Sequence, residues 1–354
     1  MQEANGKKRK RIRALTLLSC LMAAVLILAF LTRLLEPKYM SDVVEGAMIA
    51  EYYGAEKCHD VLFIGDCELY ENITPAVLWE EYGISSYIRG SAQQLIWQSY
   101  YLLEDTLRYE KPKVVVFNVL AMQYDEPQKE AYNRMSIEGM RWSPAKVRNI
   151  LASETEGEHL IEYVFPLLRY HSRITQLGAE DWKYLFHRDP VTYSGYYMRV
   201  DVRPAENLPP AKPLGDYRFG DNAYAYLDKI REKCEEEGIE LVLMKAPSLY
   251  PYWYEEWDEQ MENYAQEHDL CYINFLDRTE EIGLDYRTDT YDAGLHLNLS
   301  GAEKLTRAVG SLLAERCGLT DRRGDPALDA IWAKRLARYH ADVEAAYAAL
   351  AEGK

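Results

Sequence analysis

The chain has 354 residues, 48% of them hydrophobic and 28% charged, which is a composition typical of globular proteins. Its formal net charge is −16, and a nucleic-acid partner is not expected because phosphate binding requires a basic face. The six cysteines show no CxxC pair and no zinc-ligand spacing, so we predict neither a metal site nor a disulfide framework: Cys20, Cys58, Cys67, Cys234, Cys271 and Cys317.

The N-terminus combines a basic cluster at residues 1–13 with an uncharged apolar run at residues 14–32. Nineteen helical residues rise roughly 28 Å, close to the hydrocarbon thickness of a bilayer. The positive-inside rule then predicts a cytoplasmic N-terminus and an extracytoplasmic main domain. A cleaved signal peptide is the alternative, but no small-x-small site follows the run. We therefore predict an uncleaved single-pass anchor at residues 14–35 in the cell membrane.

Strand and helix signals alternate after a connector at residues 36–58. The strands are expected at residues 61–64, 86–89, 113–119, 240–244 and 271–275. The intervening helices are expected at residues 75–82, 93–109, 222–237 and 253–268, with Gly238 ending the third of them. A last core helix runs to about Cys317, with Ser300 as its N-cap and Glu303 as the capping-box partner. This alternation predicts an α/β fold with a doubly wound parallel sheet at residues 59–320.

Two segments lie outside this alternation. Residues 125–215 are expected to form a largely helical insertion, with helices at 143–152 and 159–176, above the sheet where insertions shape substrate access. Residues 321–354 are expected to form a C-terminal amphipathic helix. In the loop after the fourth core strand, the aromatic residues at 250–254 either stack on sugar rings or simply pack over the core, and packing is favoured.

Polar residues and glycines follow the predicted strands at positions where an open parallel sheet places its ligands. The first strand leads into Gly65-Asp66-Cys67, and the later positions are Gly90, Asn118, Asp292, His296, Leu297, Asn298 and Gly301. Their order and intervals resemble the four blocks of the SGNH/GDSL hydrolase superfamily over residues 60–317. With the anchor and the insertion, the chain is most similar to the membrane-anchored branch that includes the teichoic-acid D-alanylation protein DltD and the cell-surface polysaccharide O-acetylation proteins.

The resemblance implies that Cys67 stands where the family has its nucleophilic serine. A thiol can perform this role because a helix N-terminus and a nearby histidine both favour the thiolate. The neighbouring carboxylates Asp66, Glu68 and Glu71 disfavour the thiolate, and sulfur is larger than the oxygen that the oxyanion hole would fit. A buried structural cysteine in a degenerate site is the alternative.

The resemblance also implies that His296 is the general base and that Asp292 orients it. The Asp–His gap is one residue longer than in the family, where Ala293 occupies the usual position. Either a one-residue bulge restores the geometry, or Asp289 takes the role. A histidine that only caps or packs a helix is the alternative for His296.

The oxyanion donors implied by the family are the N–H groups of Cys67 and Gly90 and the side-chain amide of Asn118. Gly90 is equally well explained as a turn glycine. Asn118 follows a buried strand and must find hydrogen-bond partners somewhere.

We therefore expect an esterase or acyltransferase that acts on a cell-envelope glycan or polymer without a cofactor, with a multispanning acyltransferase as a possible partner. The alternative is a catalytically degenerate protein of the same fold that binds glycan or acts as a scaffold in an envelope modification complex. A redox role is a third hypothesis, and it would require a disulfide between Cys58 and Cys67.

Overall fold

The computed structural model describes residues 2–36, 45–187 and 189–353. The chain divides into two compact units. One consists of Met1–Lys38 and Glu158–Asp189, and the other of Tyr39–Gly157 and Pro190–Lys354. The predicted insertion at residues 125–215 is thus divided between them, and only its central part belongs to the first unit. The predicted connector at residues 36–58 falls partly outside the described residues.

The larger unit contains a five-stranded, fully parallel sheet. Its strands are β1 (Val61–Gly65), β2 (Ser86–Gly90), β3 (Val114–Asn118), β4 (Glu240–Lys245) and β5 (Cys271–Asn274). They are arranged in the order β2-β1-β3-β4-β5. In register, Gly65 lies beside Gly90, and Asn118 lies beside Met244. The α/β class and the parallel sheet are confirmed, and all five strands lie within two residues of their predicted bounds.

Fourteen α-helices lie within the described residues. They are α1 (Gln2–Leu35), α2 (Glu45–Glu51), α3 (Cys67–Tyr70), α4 (Pro75–Tyr82), α5 (Ile96–Thr106), α6 (Glu130–Ile137), α7 (Pro144–Ser153), α8 (Leu160–Val164), α9 (Leu167–Tyr170), α10 (Ala179–Lys183), α11 (Asp221–Glu237), α12 (Glu255–Glu267), α13 (Leu299–Arg316) and α14 (Pro326–Ala351). Short 3-10 turns occur at Tyr52–Gly54, Val119–Gln123 and His171–Thr175.

The strands bury both of their faces because successive side chains point to opposite sides of the sheet. One face carries Val61, Phe63, Val114, Val116, Val242 and Met244, and helices α4 and α13 cover it. The other carries Leu62, Ile64, Val115, Phe117, Leu241 and Leu243, and helices α5, α11 and α12 cover it. The near-continuous apolar runs that predicted the strands follow from this burial on two sides.

Helix α1 dominates the smaller unit. Within the described residues, one helical stretch, Arg9–Leu35, is sufficiently long and apolar to cross a membrane. Signal sequences share this property. Its carboxyl end is held inside this unit by the Arg173 guanidinium, which donates to the Leu35 carbonyl at 2.7 Å and to Asp181 at 3.0 Å. The helix predicted at residues 159–176 is interrupted near Pro166. Proline has no backbone N–H to donate, and its ring clashes with the preceding helical turn.

Two helix boundaries differ from the sequence-based predictions, and one helix packs more deeply than predicted. Helix α5 begins at Ile96 rather than at residue 93, because Gln93 has a φ of 50° and is not helical. Helix α13 is capped by Asn298, whose Oδ1 accepts the Gly301 N–H, and not by Ser300. The C-terminal helix α14 contributes to the core through Trp332, which stacks on Trp79 at 5.3 Å.

Candidate functional site

Cys67 is the first residue of α3 and follows β1 after a single connecting residue. That residue, Asp66, is the N-cap, and its carboxylate accepts the N–H of Glu68 at 3.2 Å. The Cys67 N–H therefore belongs to a first helical turn, where N–H groups have no intrahelical acceptor. This places the thiol at the carboxyl edge of the sheet, where open α/β sheets bind their ligands.

The backbones of β1 and β2 approach closely where both strands end. A Cβ atom at Gly90 would lie 3.0 Å from the Gly65 carbonyl oxygen and 3.2 Å from Tyr70. A Cβ atom at Gly65 would lie 2.9 Å from the Asn118 side chain. A side chain at either position would crowd these neighbours, which accounts for both glycines, and the role of Gly90 as an oxyanion donor stays a prediction.

Asp292 and His296 form a close pair in the loop before α13. Asp292 Oδ2 lies 2.6 Å from His296 Nδ1, and its Oδ1 accepts the His296 N–H at 2.8 Å. The extra residue in the Asp–His spacing is accommodated by left-handed backbone at Ala293 (φ 68°) and Gly294 (φ 97°). Thr290 holds this bulge, because its hydroxyl donates to the His296 carbonyl at 2.7 Å.

Asp289 has other partners. Its Oδ2 accepts from Lys304 Nζ at 2.7 Å and from the Asp285 N–H at 2.7 Å, and its Oδ1 accepts from the Ser300 hydroxyl at 2.9 Å. The carboxylate is buried and anchors the start of α13. Of the two carboxylates considered from the sequence, the structure thus brings Asp292 to His296.

His296 and Cys67 are close enough to shift each other's pKa. Burial raises the pKa of this thiol, whereas the nearby charge of His296 lowers that pKa, and the net shift is upward. Burial lowers the pKa of His296, but Cys67, Glu71 and the hydrogen bond with Asp292 raise it well above its ordinary value. His296 Nε2 is buried and has no well-formed hydrogen bond to any described residue. The ring is therefore poised beside the thiol without a completed Sγ–Nε2 hydrogen bond.

A buried polar network is centred on Glu68, the residue that follows Cys67 in α3. Lys245, at the end of β4, donates to both oxygens of Glu68 at 2.8 and 2.9 Å and contacts the Ser248 hydroxyl at 3.1 Å. The Ser248 hydroxyl in turn donates to Glu68. All three side chains are buried, so they satisfy one another where water is excluded.

Asn118 belongs to the same network. Its Nδ2 donates to Asp66 at 3.0 Å and to Glu68 at 3.0 Å, and its Oδ1 accepts the Ala246 N–H at 3.1 Å. Both amide protons are therefore given to carboxylates in this structure, and the amide would have to reorganise to stabilise an oxyanion. Burial, followed by the Glu68 charge, raises the pKa of Asp66.

The sequence reasoning missed a second carboxylate at His296. Glu71, the C-cap residue of α3, lies 3.6 Å from His296 Nδ1. The Tyr291 hydroxyl donates to Glu71 Oε2 and lies 3.5 Å from the same nitrogen. One signal was available: Glu71 follows Cys67 by four residues, a spacing that brings two side chains to one helix face.

The loop after β2 contributes Gln93, which contacts Tyr124 near the site. Gln93 adopts a φ of 50°, which is uncommon for a residue other than glycine and is often found at functional sites. Its side chain forms a hydrogen bond with Tyr124, whose pKa is raised by burial and to a smaller extent by Asp66 and Cys67. Tyr124, from the segment after β3, therefore lies close enough to Asp66 and Cys67 to feel their charge.

The aromatic residues of the 250–254 loop are largely engaged within the protein. The Tyr254 hydroxyl donates to the Lys212 carbonyl at 2.7 Å, and its ring packs edge-on against Trp257 at 4.8 Å. Trp253 donates to Asp258 at 2.9 Å. These contacts favour packing over sugar stacking, although Tyr250 remains 48% exposed.

Cys67 forms no disulfide with another cysteine. Both Cys58 and Cys67 are free thiols. Cys58 precedes β1 and Cys67 follows it, so roughly 16 Å of strand separates them, which is too far for a disulfide. In the part of the chain that the structure describes, no group of three or more His, Cys, Asp or Glu side chains could hold a metal ion.

Comparison with known proteins adds no further assignment. No protein-family model matches the chain, and no curated protein shows significant similarity to it. The functional interpretation therefore depends on the geometry of the site.

Proposed function

We propose that this chain is a membrane-anchored, extracytoplasmic esterase or acyltransferase of the SGNH type that acts through a Cys67–His296–Asp292 triad. One observation carries the proposal: Asp292 holds His296 Nδ1 at 2.6 Å, while the buried Nε2 lacks a completed hydrogen bond beside Cys67. An imidazole oriented by a carboxylate and facing a nucleophile is the arrangement that acyl transfer requires. The strand order β2-β1-β3-β4-β5, with helices on both faces, supports a flavodoxin-like, doubly wound fold.

The chemistry proceeds in two steps. The Cys67 thiolate attacks the carbonyl carbon of an ester, and the resulting oxyanion is stabilised by N–H groups at the start of α3. The carbon–oxygen bond breaks, His296 gives its proton to the leaving alkoxide, and a thioester remains on Cys67. In the second step, His296 accepts a proton from a glycan hydroxyl or from water as that oxygen attacks the thioester and the thiolate leaves.

The apolar helix supports work at the cell envelope. With the basic residues before it, α1 is expected to keep its N-terminus in the cytoplasm and to leave the sheet unit outside. The substrate would then be an envelope glycan or polymer. A multispanning acyltransferase is a fitting partner because cytoplasmic acyl donors must cross the membrane to reach Cys67.

A second candidate function is a catalytically degenerate subunit that binds glycan or acts as a scaffold. Two observations favour it: the pKa of the Cys67 thiol is raised, and both Asn118 amide protons are given to carboxylates. The first leaves less thiolate for attack, and the second leaves no free amide proton on Asn118 to stabilise an oxyanion.

Intact-mass spectrometry of the full chain in detergent micelles after exposure to p-nitrophenyl acetate separates the two functions. The triad predicts a single acetyl adduct that is absent in Cys67→Ala and forms more slowly in His296→Ala. Cys234→Ala is the matched control, because this thiol is buried away from the site and its loss should leave the adduct unchanged. No adduct on the folded wild-type protein, with activated esters of several acyl lengths, would favour the degenerate subunit.

A further inference from the structure

The His296 ring is enclosed by acidic groups from two elements. Its Nδ1 lies 2.6 Å from Asp292 Oδ2 and 3.6 Å from Glu71 Oε2, and both carboxylates are largely removed from solvent. Tyr291 stacks its ring parallel to the imidazole at 6.0 Å and donates its hydroxyl to Glu71. The Glu71 carboxylate is therefore held facing the imidazole.

The other charged groups around this cluster do not neutralise it. From the segment before α11, Arg199 lies over the Tyr291 ring at 4.5 Å, but its guanidinium is paired with Asp201 at 2.9 and 3.0 Å. From α3, Cys67 is close enough to His296 to raise its pKa. Two carboxylates and one thiol thus surround a single base.

Two carboxylates on one imidazole are poorly suited to a serine nucleophile. A serine hydroxyl gives up its proton only during attack, so its base must be neutral at rest. A thiol can lose its proton beforehand, and the resting pair is then a thiolate beside an imidazolium. Asp292 and Glu71 lie close to the imidazole, and Coulomb attraction to its positive charge falls with distance. They therefore favour the proton on His296, although Glu71 also opposes the negative charge on Cys67, whose net pKa shift is upward.

We propose that Glu71, oriented by Tyr291, is a second carboxylate partner of His296 that keeps this ring protonated at rest and so suits the site to a cysteine rather than a serine nucleophile. This inference deepens the proposed function and rests on it. Glu71 acts through His296 and is a positioning residue. The upward shift of the His296 pKa, to which the Glu71 charge contributes, agrees with this assignment.

The direct test is the titration of His296 by NMR in the full chain in detergent micelles, with labelled histidine side chains. The chain has seven histidines, and the His296 signal is assigned from the spectrum of His296→Gln. Glu71→Gln should lower the pKa of His296 by about one to three units, because a nearby opposite charge shifts a pKa by that amount. Glu71→Asp keeps the charge on a shorter arm and should lower it by less. Glu81→Gln removes an exposed carboxylate paired with Arg307 and is the matched control.

A second measurement uses nucleophile exchange. Acetyl-adduct formation from p-nitrophenyl acetate should be at least about tenfold slower in Cys67→Ser than in the wild type. A serine needs neutral His296 as its base, and each unit by which the pKa of His296 exceeds the pH lowers the neutral fraction about tenfold. Adding Glu71→Gln to Cys67→Ser should recover much of that loss, because His296 then becomes neutral more readily.

The outcomes separate this inference from the proposed function. An unchanged His296 pKa in folded Glu71→Gln would overturn the inference, as would Cys67→Ser acylating as fast as the wild type. If the His296 pKa falls as expected but no variant forms an acyl adduct, the role of Glu71 in ring protonation is supported and the proposed enzyme activity fails.

Discussion

The buried pair of Lys245 and Glu68 allows a quantitative test of how the nucleophile turn is held. The Lys245 Nζ lies 2.8 and 2.9 Å from the two Glu68 oxygens, and both side chains are at most 1% exposed. At 2.8 Å and an effective dielectric constant of 20, their attraction is about 6 kcal/mol before desolvation is subtracted. Replacing one partner of a buried pair leaves an uncompensated charge, at a cost of about 3–5 kcal/mol.

Lys245→Met should therefore lower the free energy of unfolding by about 3–5 kcal/mol at pH 7.5. In a unit of this size, the midpoint of thermal unfolding should fall by about 6–20 °C, measured by tryptophan fluorescence in micelles.

Two controls show whether the cost comes from the stranded carboxylate. Lys111→Met breaks a pair with Glu237 in which both side chains are exposed, and it should cost less than about 1 kcal/mol. Lys245→Met combined with Glu68→Gln removes both charges and should recover most of the stability. The reasoning fails if Lys245→Met is as stable as Lys111→Met, or if the double variant is no more stable than the single one.

Three further predictions concern the site and its support. Asp292→Asn should slow acyl-enzyme formation by about 10²–10⁴-fold in burst kinetics, because Asp292 pairs with His296. Asp289→Asn should leave that rate intact and lower the free energy of unfolding by about 1–3 kcal/mol. Equal acylation rates for the two variants would contradict the pairing of Asp292 with His296. Gly301→Ala should lower the unfolding midpoint at a cost of about 1–3 kcal/mol, since its Cβ would lie 2.4 Å from the Asp289 carbonyl oxygen. The rate of Cys67 alkylation by iodoacetamide should be half-maximal at a pH above the pKa of an ordinary thiol, because burial raises the pKa of Cys67. His296→Gln should move this midpoint higher still, because His296 lowers the pKa of the thiol. A wild-type midpoint below that of free cysteine would refute this prediction.

The sheet could be predicted because its apolar runs are short and lie between clear helix signals. Val114–Asn118, for example, is buried along its whole length. Burial on both faces leaves the same apolar run in the sequence that it requires in the structure. Helix ends were harder to place. The hydroxyl of Ser300 can cap a helix, but it donates to Asp289, and this tertiary contact leaves capping to Asn298.

The partner of His296 could not be predicted from the spacing of residues in the sequence. Spacing alone left Asp289 and Asp292 as alternatives, because the conformation of Ala293 decides which carboxylate reaches His296. A φ of 68° at a residue other than glycine has no reliable sequence signal. By contrast, Lys245 could have been placed from the strand register. It lies one position beyond Met244, the partner of Asn118, and a lysine ending an apolar strand needs an acidic partner.

The negative charge around Cys67 is one of the arguments for a degenerate site, and the structure divides that charge among separate partners. Glu68 is neutralised by Lys245, while Asp292 and Glu71 both face His296. Asp66 is the remaining carboxylate, and burial raises its pKa, which reduces its negative charge near neutral pH. Asp66 and Glu71 still raise the pKa of the thiol, but by less than His296 lowers it. The charge directed at His296 favours transfer of the thiol proton to the imidazole. This distribution favours a working cysteine nucleophile over the remains of a serine site.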